Sequence, residues 1–520
     1  MSTTVVATSP RVNAKPITDR DGMREKHAHA GVAMAVATLA MGMASGIQAL
    51  LYLSSFGAGA KTDGFFVAFA LYTSFGVFSQ SIRVTSAPML VGERPRLTQG
   101  EFALALAALA VPVGLATIPL AGPLAGLLAP GVGTAGREVA ESALPILGLA
   151  MILQLWAAGG ATVLAVRDRF DRIAFAYIAG AASGLVVYLA VSGPAGELSL
   201  GWSMLAMAVV TSALMLDGVR AGRPASSGER RRPSPGRLLR CVLLVLGSTA
   251  IYLAFNGLYV ITLAFASNYG AGGATVLSYA YLFASYLVAA TGFALGMSRI
   301  ADMRRGALAD WREVIADTVP AGFRYSMLIA APALAALIAG GANLIGEVLP
   351  SSFDPSQVGQ LKVFGALLCA WTVAALLVNL LLPAMFALGR VKFVNALAPV
   401  IVLAHVAVTA LGGALFGING VVGAFFVVPI AFAVALMAVG AGRAGIPIAR
   451  ELARDGLRFA GAAAVCFGIG FLAGDAVGGN LGPAVTIGLG SILYASLTPW
   501  LAPDQVRLLV GALRPAPASA

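Results

Sequence analysis

Apolar residues arrive in long runs, and short segments rich in Gly, Pro, Ser and Arg separate them. The runs fall at 31–54, 64–82, 101–128, 140–166, 173–192, 198–216 and 239–266, then at 275–298, 319–349, 361–388, 391–416, 421–440, 457–473 and 483–501. Each is close to the about 20 residues that carry a helix across a hydrocarbon layer. Nothing in them alternates with the period of two that a half-buried strand needs. The pattern therefore predicts an all-α polytopic membrane protein with about fourteen transmembrane helices.

Composition agrees with the pattern. Hydrophobic residues make up 59% of the 520, charged residues only 11%, and the mean hydropathy is +0.87. Soluble domains carry about a quarter charged residues, so a soluble fold is excluded. The net charge of +11 does not point to nucleic acid, because the basic residues lie in short segments between apolar runs, where they set topology. With the N-terminus in the cytoplasm, only Lys61, Arg137 and Lys362 of the 34 Lys and Arg fall on the outer face, leaving 34 − 3 = 31 inside. Both termini are thereby expected in the cytoplasm.

The same charge map divides the chain. Residues 1–28 read as a disordered cytoplasmic tail without a cleaved leader, 29–219 as a first lobe, and 220–238, containing GERRRPSPGR, as a basic linker. Residues 239–441 form a second lobe, 442–503 two additional spans, and 504–520 a cytoplasmic tail. An internal echo supports two lobes: FGVFSQSIR ends at Arg83 and GFALGMSR at Arg299, and 299 − 83 = 216. A second echo, VLAVRDRFDRIAFAYIAG and MFALGRVKFVNALAPVI, follows in the same order at nearly the same offset. A duplicated unit of six spans keeps its orientation, so two pseudo-symmetric six-helix lobes are expected around a central cavity, the arrangement of an alternating-access transporter.

Candidate chemistry is sparse. Cys241, Cys369 and Cys466 are far apart in sequence and read as packing residues. There is no Walker A loop, GxSxG or HExxH, and His405 is the only histidine beyond the N-terminal tail. Acid–base chemistry needs clustered carboxylates or histidines, so the chain is read as moving a molecule rather than altering it, without a cofactor or metal. The polar groups inside spans are Gln48, Gln80, Gln154, Asn256, Asn379 and His405, with the hydroxyls of Tyr259, Tyr279 and Tyr281. Gln48, Gln154, Asn256 and Asn379 are candidates for the cavity, against a role in holding helices together. Asp63 opens the second span and is either its N-cap or a functional carboxylate. Arg83 and Arg299 either mark cytoplasmic helix ends or form a pseudo-symmetric pair able to grip a phosphate or pyrophosphate.

FGAGAKTDGFFVAF from Phe56, followed by FSQS and Pro88, resembles the MurJ (MviN) lipid II flippases of the MOP exporter superfamily. LLAPG at 127–131 and VLAVRDRF are similar to further segments of that family. The resemblance implies translocation of an undecaprenyl-pyrophosphate-linked peptidoglycan precursor across the cytoplasmic membrane of a bacterium, in the service of cell-wall biogenesis and cell shape. The headgroup would cross a cationic cavity while its lipid tail stays in the bilayer. The family's carboxylate at the start of the second span falls on Asp63. The sequence departs from the family where cavity arginines are expected: Gly42 and Gln48 stand near two of them and Gly76 near a third. The family's carboxylate of the seventh span has no counterpart in 239–266, which leaves the membrane potential as a simpler driving force than an ion gradient.

The candidate substrate-binding set is thus Asp63, Arg83, Arg299, Gln48, Gln154, Asn256 and Asn379. Its partners are a lipid-linked glycan, membrane lipids and cell-wall synthesis proteins, with no nucleic acid. Alternatives to a MurJ-like flippase are a Wzx-like flippase of lipid-linked polysaccharide units, a MATE-like exporter, and an inactive scaffold of a cell-wall synthesis complex.

Overall fold

The computed structural model describes residues 41–90, 97–167, 169–221, 234–289, 291, 311–348, 353–387, 389–442 and 445–507. Among them the chain is helical throughout, with no strand. In order these are α1 (residues 41–56), α2 (Ala60–Leu90), α3 (Gln99–Ala116), α4 (Ala121–Leu128), α5 (Thr134–Val166), α6 (Phe170–Val191) and α7 (Ser199–Ala221). The second half holds α8 (Pro235–Ala266), α9 (Gly273–Val288), α10 (Trp311–Ala336), α11 (Ala342–Val348), α12 (Pro355–Ala387), α13 (Val391–Ala441), α14 (Gly445–Val477) and α15 (Gly482–Leu501).

Ten of the described helical segments are long and apolar enough to cross a membrane. One of them, α13, has 51 residues. At about 1.5 Å per residue it is more than twice the thickness of a hydrocarbon core of about 30 Å. It breaks at Gly417, whose φ of 62° and ψ of −145° turn the chain back. Such a positive φ suits glycine because no Cβ meets the backbone. Counting α13 as two crossings and adding α1, α2 and α9 gives 10 + 1 + 3 = 14, the number read from the apolar runs. The third run is two helices, α3 and α4, separated at 117–120, and the ninth holds a π-helical stretch, Leu337–Gly341, between α10 and α11.

The repeated sequence builds a repeated turn. Arg169 and Arg390 are each the N-cap of the helix that follows. Arg169 N–H donates to the Leu164 carbonyl at 3.0 Å, and Arg390 N–H to the Met385 carbonyl at 3.0 Å. Both pairs are related by the same shift, 390 − 169 = 221, close to the offset of the Arg83 and Arg299 echo. Helices approach closely where side chains are absent: a Cβ on Gly64 of α2 would lie 1.9 Å from the Gly136 carbonyl of α5. Small residues provide such contacts inside membranes, where burial of apolar surface does not drive helices together.

One apolar core runs through both halves, from Tyr52, Phe65 and Phe66 to Tyr259, Trp371 and Phe425. The terminal pair α14 and α15 is tied to α10 by Arg324, which donates to Glu451 and Asp455 at 2.5 Å each. Alternation of the helices defines two ends. The loops after α1, α4, α6 and α8 lie at one, with Asp63; the end of α7 and the starts of α3 and α8 lie at the other, called the linker end because α7 and α8 flank the linker in sequence.

Candidate functional site

At the Asp63 end the two halves of the chain are joined by hydrogen bonds. Asp63 is in the first turn of α2, 1% exposed. Its side chain does not cap its own helix, as an N-cap reading expects. Instead Oδ2 accepts from the Gly272 N–H at 2.6 Å, and Oδ1 accepts from the Thr275 N–H at 2.7 Å and the Thr275 hydroxyl at 2.6 Å.

The reason lies in α9. Its N-cap is Gly272, with φ of 90° and no side chain to satisfy the first-turn N–H groups. Those orphan donors need an acceptor when buried, and a carboxylate at a helix N-terminus is also favoured by the helix dipole. Asp63 supplies both from 209 residues away in sequence. Charge-assisted hydrogen bonds contribute about 1.5–3 kcal/mol each, so three on one buried carboxylate make a strong joint.

Weaker contacts surround it. Gly131 N–H donates to Ser267 Oγ at 3.3 Å, Gln357 Nε2 to the Ala58 carbonyl at 3.5 Å, and Tyr279 OH to the Ala49 carbonyl at 2.6 Å. Phe66 and Tyr279 pack edge to face with centroids 5.2 Å apart. Every one of these contacts links a residue before the linker to one after it. Together they close this end.

The linker end is closed differently. Thr98 caps α3 in a capping box: its hydroxyl accepts from the Glu101 N–H at 3.2 Å, and Glu101 Oε2 accepts from the Thr98 N–H at 2.9 Å. The other carboxylate oxygen, Oε1, takes the Nε of Arg237 in the first turn of α8. Beneath this ion pair Phe78, Ile82 and Phe102 pack against Cys241 and Val245.

The remaining candidates are scattered. Gln48 is buried between α1, α6 and α7, where its Oε1 lies 3.0 Å from the Ser203 hydroxyl, within the first half. Asn256 and Asn379 donate to carbonyls one turn back in their own helices, Tyr252 and Ala375, both at 2.8 Å. Asn256 does reach the boundary through its carbonyl, which accepts from Ser74 of α2 at 3.3 Å. Gln154 Oε1 is buried and finds no hydrogen-bond donor among the described residues. His405 lies within the second half, its Nε2 2.8 Å from Thr262 Oγ1. The side chains of Gln80 and Arg83, and all of Arg299, lie outside the described residues. Among the described residues no cluster of His, Cys, Asp or Glu is arranged to hold a metal, and Cys241, Cys369 and Cys466 are unpaired.

Sequence reasoning singled out Asp63 but missed Thr275, Glu101 and Arg237. The Thr98-x-x-Glu101 spacing ahead of an apolar run is a capping-box signature and was readable. The partner of Asp63 was not, because a backbone N–H leaves no mark in a sequence.

The fold is that of multi-pass membrane flippases and exporters. No protein-family profile matches the sequence, and no curated protein matches it in sequence. Among solved structures, the chain is similar to the lipid II flippase MurJ in an inward closed conformation, with a TM-score of 0.67 and 13% identity, over 91% of this chain and 99% of that one. It is also similar to an inward-facing multidrug resistance MATE transporter of the MOP superfamily, with a TM-score of 0.59 and 14% identity over 80% and 98% of the two chains. A MATE transporter of Vibrio cholerae gives a TM-score of 0.60 at 13% identity, over 81% and 97%. These neighbours are a flippase and transporters, not enzymes.

Proposed function

We propose that the protein is a flippase of the bacterial cytoplasmic membrane that moves a lipid-linked, diphosphate-bearing cell-wall precursor to the outer leaflet by alternating access. Peptidoglycan precursor of the lipid II kind is the substrate this reading favours. The observation that carries it is the joint at Asp63: a buried carboxylate of one half holding the first turn of a helix of the other. A joint made of a few discrete hydrogen bonds can break as a unit, which is what two lobes rocking about a central site require. The fold, shared with MurJ and with MATE transporters, supports the class. The FGAGAKTDGFFVAF block supplies the substrate. No cofactor enters the cycle, and the membrane potential or an ion gradient drives it.

A Wzx-like flippase of lipid-linked polysaccharide units is the second reading. It is favoured by α1, whose described residues carry no basic side chain and whose Gln48 is engaged inside its own half. Complementation of a bacterium depleted of MurJ separates the two, with lipid II accessibility at the outer leaflet as readout. Rescue is the expected result. Correct membrane insertion without lipid II export would reject the peptidoglycan reading.

A further inference from the structure

Among the described residues, the pair Glu101 and Arg237 is the one ion pair that joins the two halves. Lys61 with Glu197, and Arg169 with Asp171, each lie within the first half; Arg324 with Glu451 and Asp455 lies within the second. The two partners are unequally placed. The Glu101 side chain is 8% exposed and fixed by its capping box, while that of Arg237 is 58% exposed. If Arg237 leaves, Glu101 keeps the Thr98 N–H bond, so separation does not strand a buried carboxylate without a partner. If Arg237 stays, one carboxylate oxygen still cannot use the five N–H donors of a guanidinium.

The surrounding sequence adds weight to this arginine. From Cys241 to Ser298 there is no Lys, Arg, Asp or Glu. Arg237, with Arg240 one turn on, is thus the last cationic position before a long uncharged stretch of α8 and α9. An anion reaching the boundary between α3 and α8 from the linker end meets Arg237 and Arg240 there and no cation beyond them along those two helices.

We infer that Arg237 is an anion-recognition residue that exchanges its Glu101 carboxylate for a phosphate group of the substrate, and that this exchange frees α8 from α3. The inference rests on the flippase reading for the identity of the substrate, but not for the exchange itself. Diphosphate suits the position because guanidinium binds phosphate oxygens in a bidentate fork. Glu101 then acts as a placeholder that keeps the mouth shut until a competing anion arrives. Recognition and opening become one event.

The test uses the full-length chain in nanodiscs with its three cysteines replaced by serine. Spin labels go on Gly100→Cys and Gly236→Cys, both exposed and with no atom within 4 Å of an added Cβ. Inorganic diphosphate, a polyprenyl diphosphate in the bilayer and the matching polyprenyl alcohol are the three probes. Either diphosphate is expected to lengthen the distance between labels, and the alcohol to leave it unchanged. Response to the lipid form alone assigns the group to a lipid headgroup; response to the free form alone assigns it to a soluble anion. Arg237→Ala should weaken diphosphate binding by about tenfold, the scale of one lost charge-assisted contact, and Glu101→Gln should strengthen it. The exchanged pair Glu101→Arg with Arg237→Glu should restore the short distance without anion, which guards against misfolding of a single variant. Unchanged affinity in Arg237→Ala, or binding without any change in distance, would overturn the inference. Both results are independent of whether lipid II is exported.

Discussion

The two ends of the helix bundle are closed by opposite means. At one, a carboxylate that is almost wholly buried accepts three donors, two of them backbone N–H groups that cannot move away unless α9 moves. At the other, a carboxylate held by its own capping box pairs with a largely exposed guanidinium. The first joint has no solvent competitor and no charged rival. The second is open to salt, to water and to any anion of better geometry. A closed end built from backbone donors responds to movement of a helix; one built from an exposed ion pair responds to chemistry. That asymmetry suits a carrier which must admit a substrate on one side and release it on the other.

Breaking the stronger joint should have the largest effect. Asp63→Ala leaves the Gly272 and Thr275 N–H groups and the Thr275 hydroxyl without their acceptor, at about 1–3 kcal/mol for each group that stays buried. The Asp63 end should open, with thiol labelling of Ser267→Cys, a position buried at the closed end, rising at least severalfold and transport falling by more than about tenfold. Unchanged labelling would reduce Asp63 to local packing. Next, Arg237→Ala should open the linker end. In the wild type the same end should loosen as ionic strength rises, because an exposed pair is screened, and label distances across it should show this. Salt should not alter the Asp63 end.

A smaller effect is expected from Thr275→Val, which removes a hydroxyl donor and keeps the backbone N–H. It should cost about 1 kcal/mol and produce a partial opening, seen in the same thiol labelling. The smallest concerns neither joint. Arg324→Ala removes the tie of α14 to α10, a partly exposed pair of contacts that contributes about 1 kcal/mol. Thermal stability in detergent should fall slightly and transport should persist. Loss of transport there would mean that the terminal pair takes part in the cycle.

How much of this was legible in the sequence follows from which forces leave a local trace. Crossing a bilayer demands about 20 apolar residues in one stretch, so the crossings were readable one by one, including the two halves of α13 around Gly417. The duplicated turn at Arg169 and Arg390 was readable because it repeats residues as well as shape. The joint at Asp63 was half readable: a carboxylate beside an apolar run signals cost, but its partners are two backbone N–H groups and a threonine in the other half. Gln48 and Asn379 looked alike as intramembrane amides; the structure gives Gln48 the Ser203 hydroxyl of another helix and Asn379 a carbonyl of its own. Which amide faces a cavity depends on helix rotation, and uniformly apolar helices leave no polar stripe from which to read it.

The central claim is that the two ends open in alternation, and paired distance measurements on one protein test it most directly. Spin labels across the Asp63 end, at Gly133→Cys and Asn268→Cys, and across the linker end, at Gly100→Cys and Gly236→Cys, are to be followed with and without a polyprenyl diphosphate in the bilayer. The account predicts that the linker-end distance lengthens while the Asp63-end distance stays short, and that Asp63→Ala reverses which end is wide. Simultaneous lengthening at both ends, or no movement at either, would contradict it.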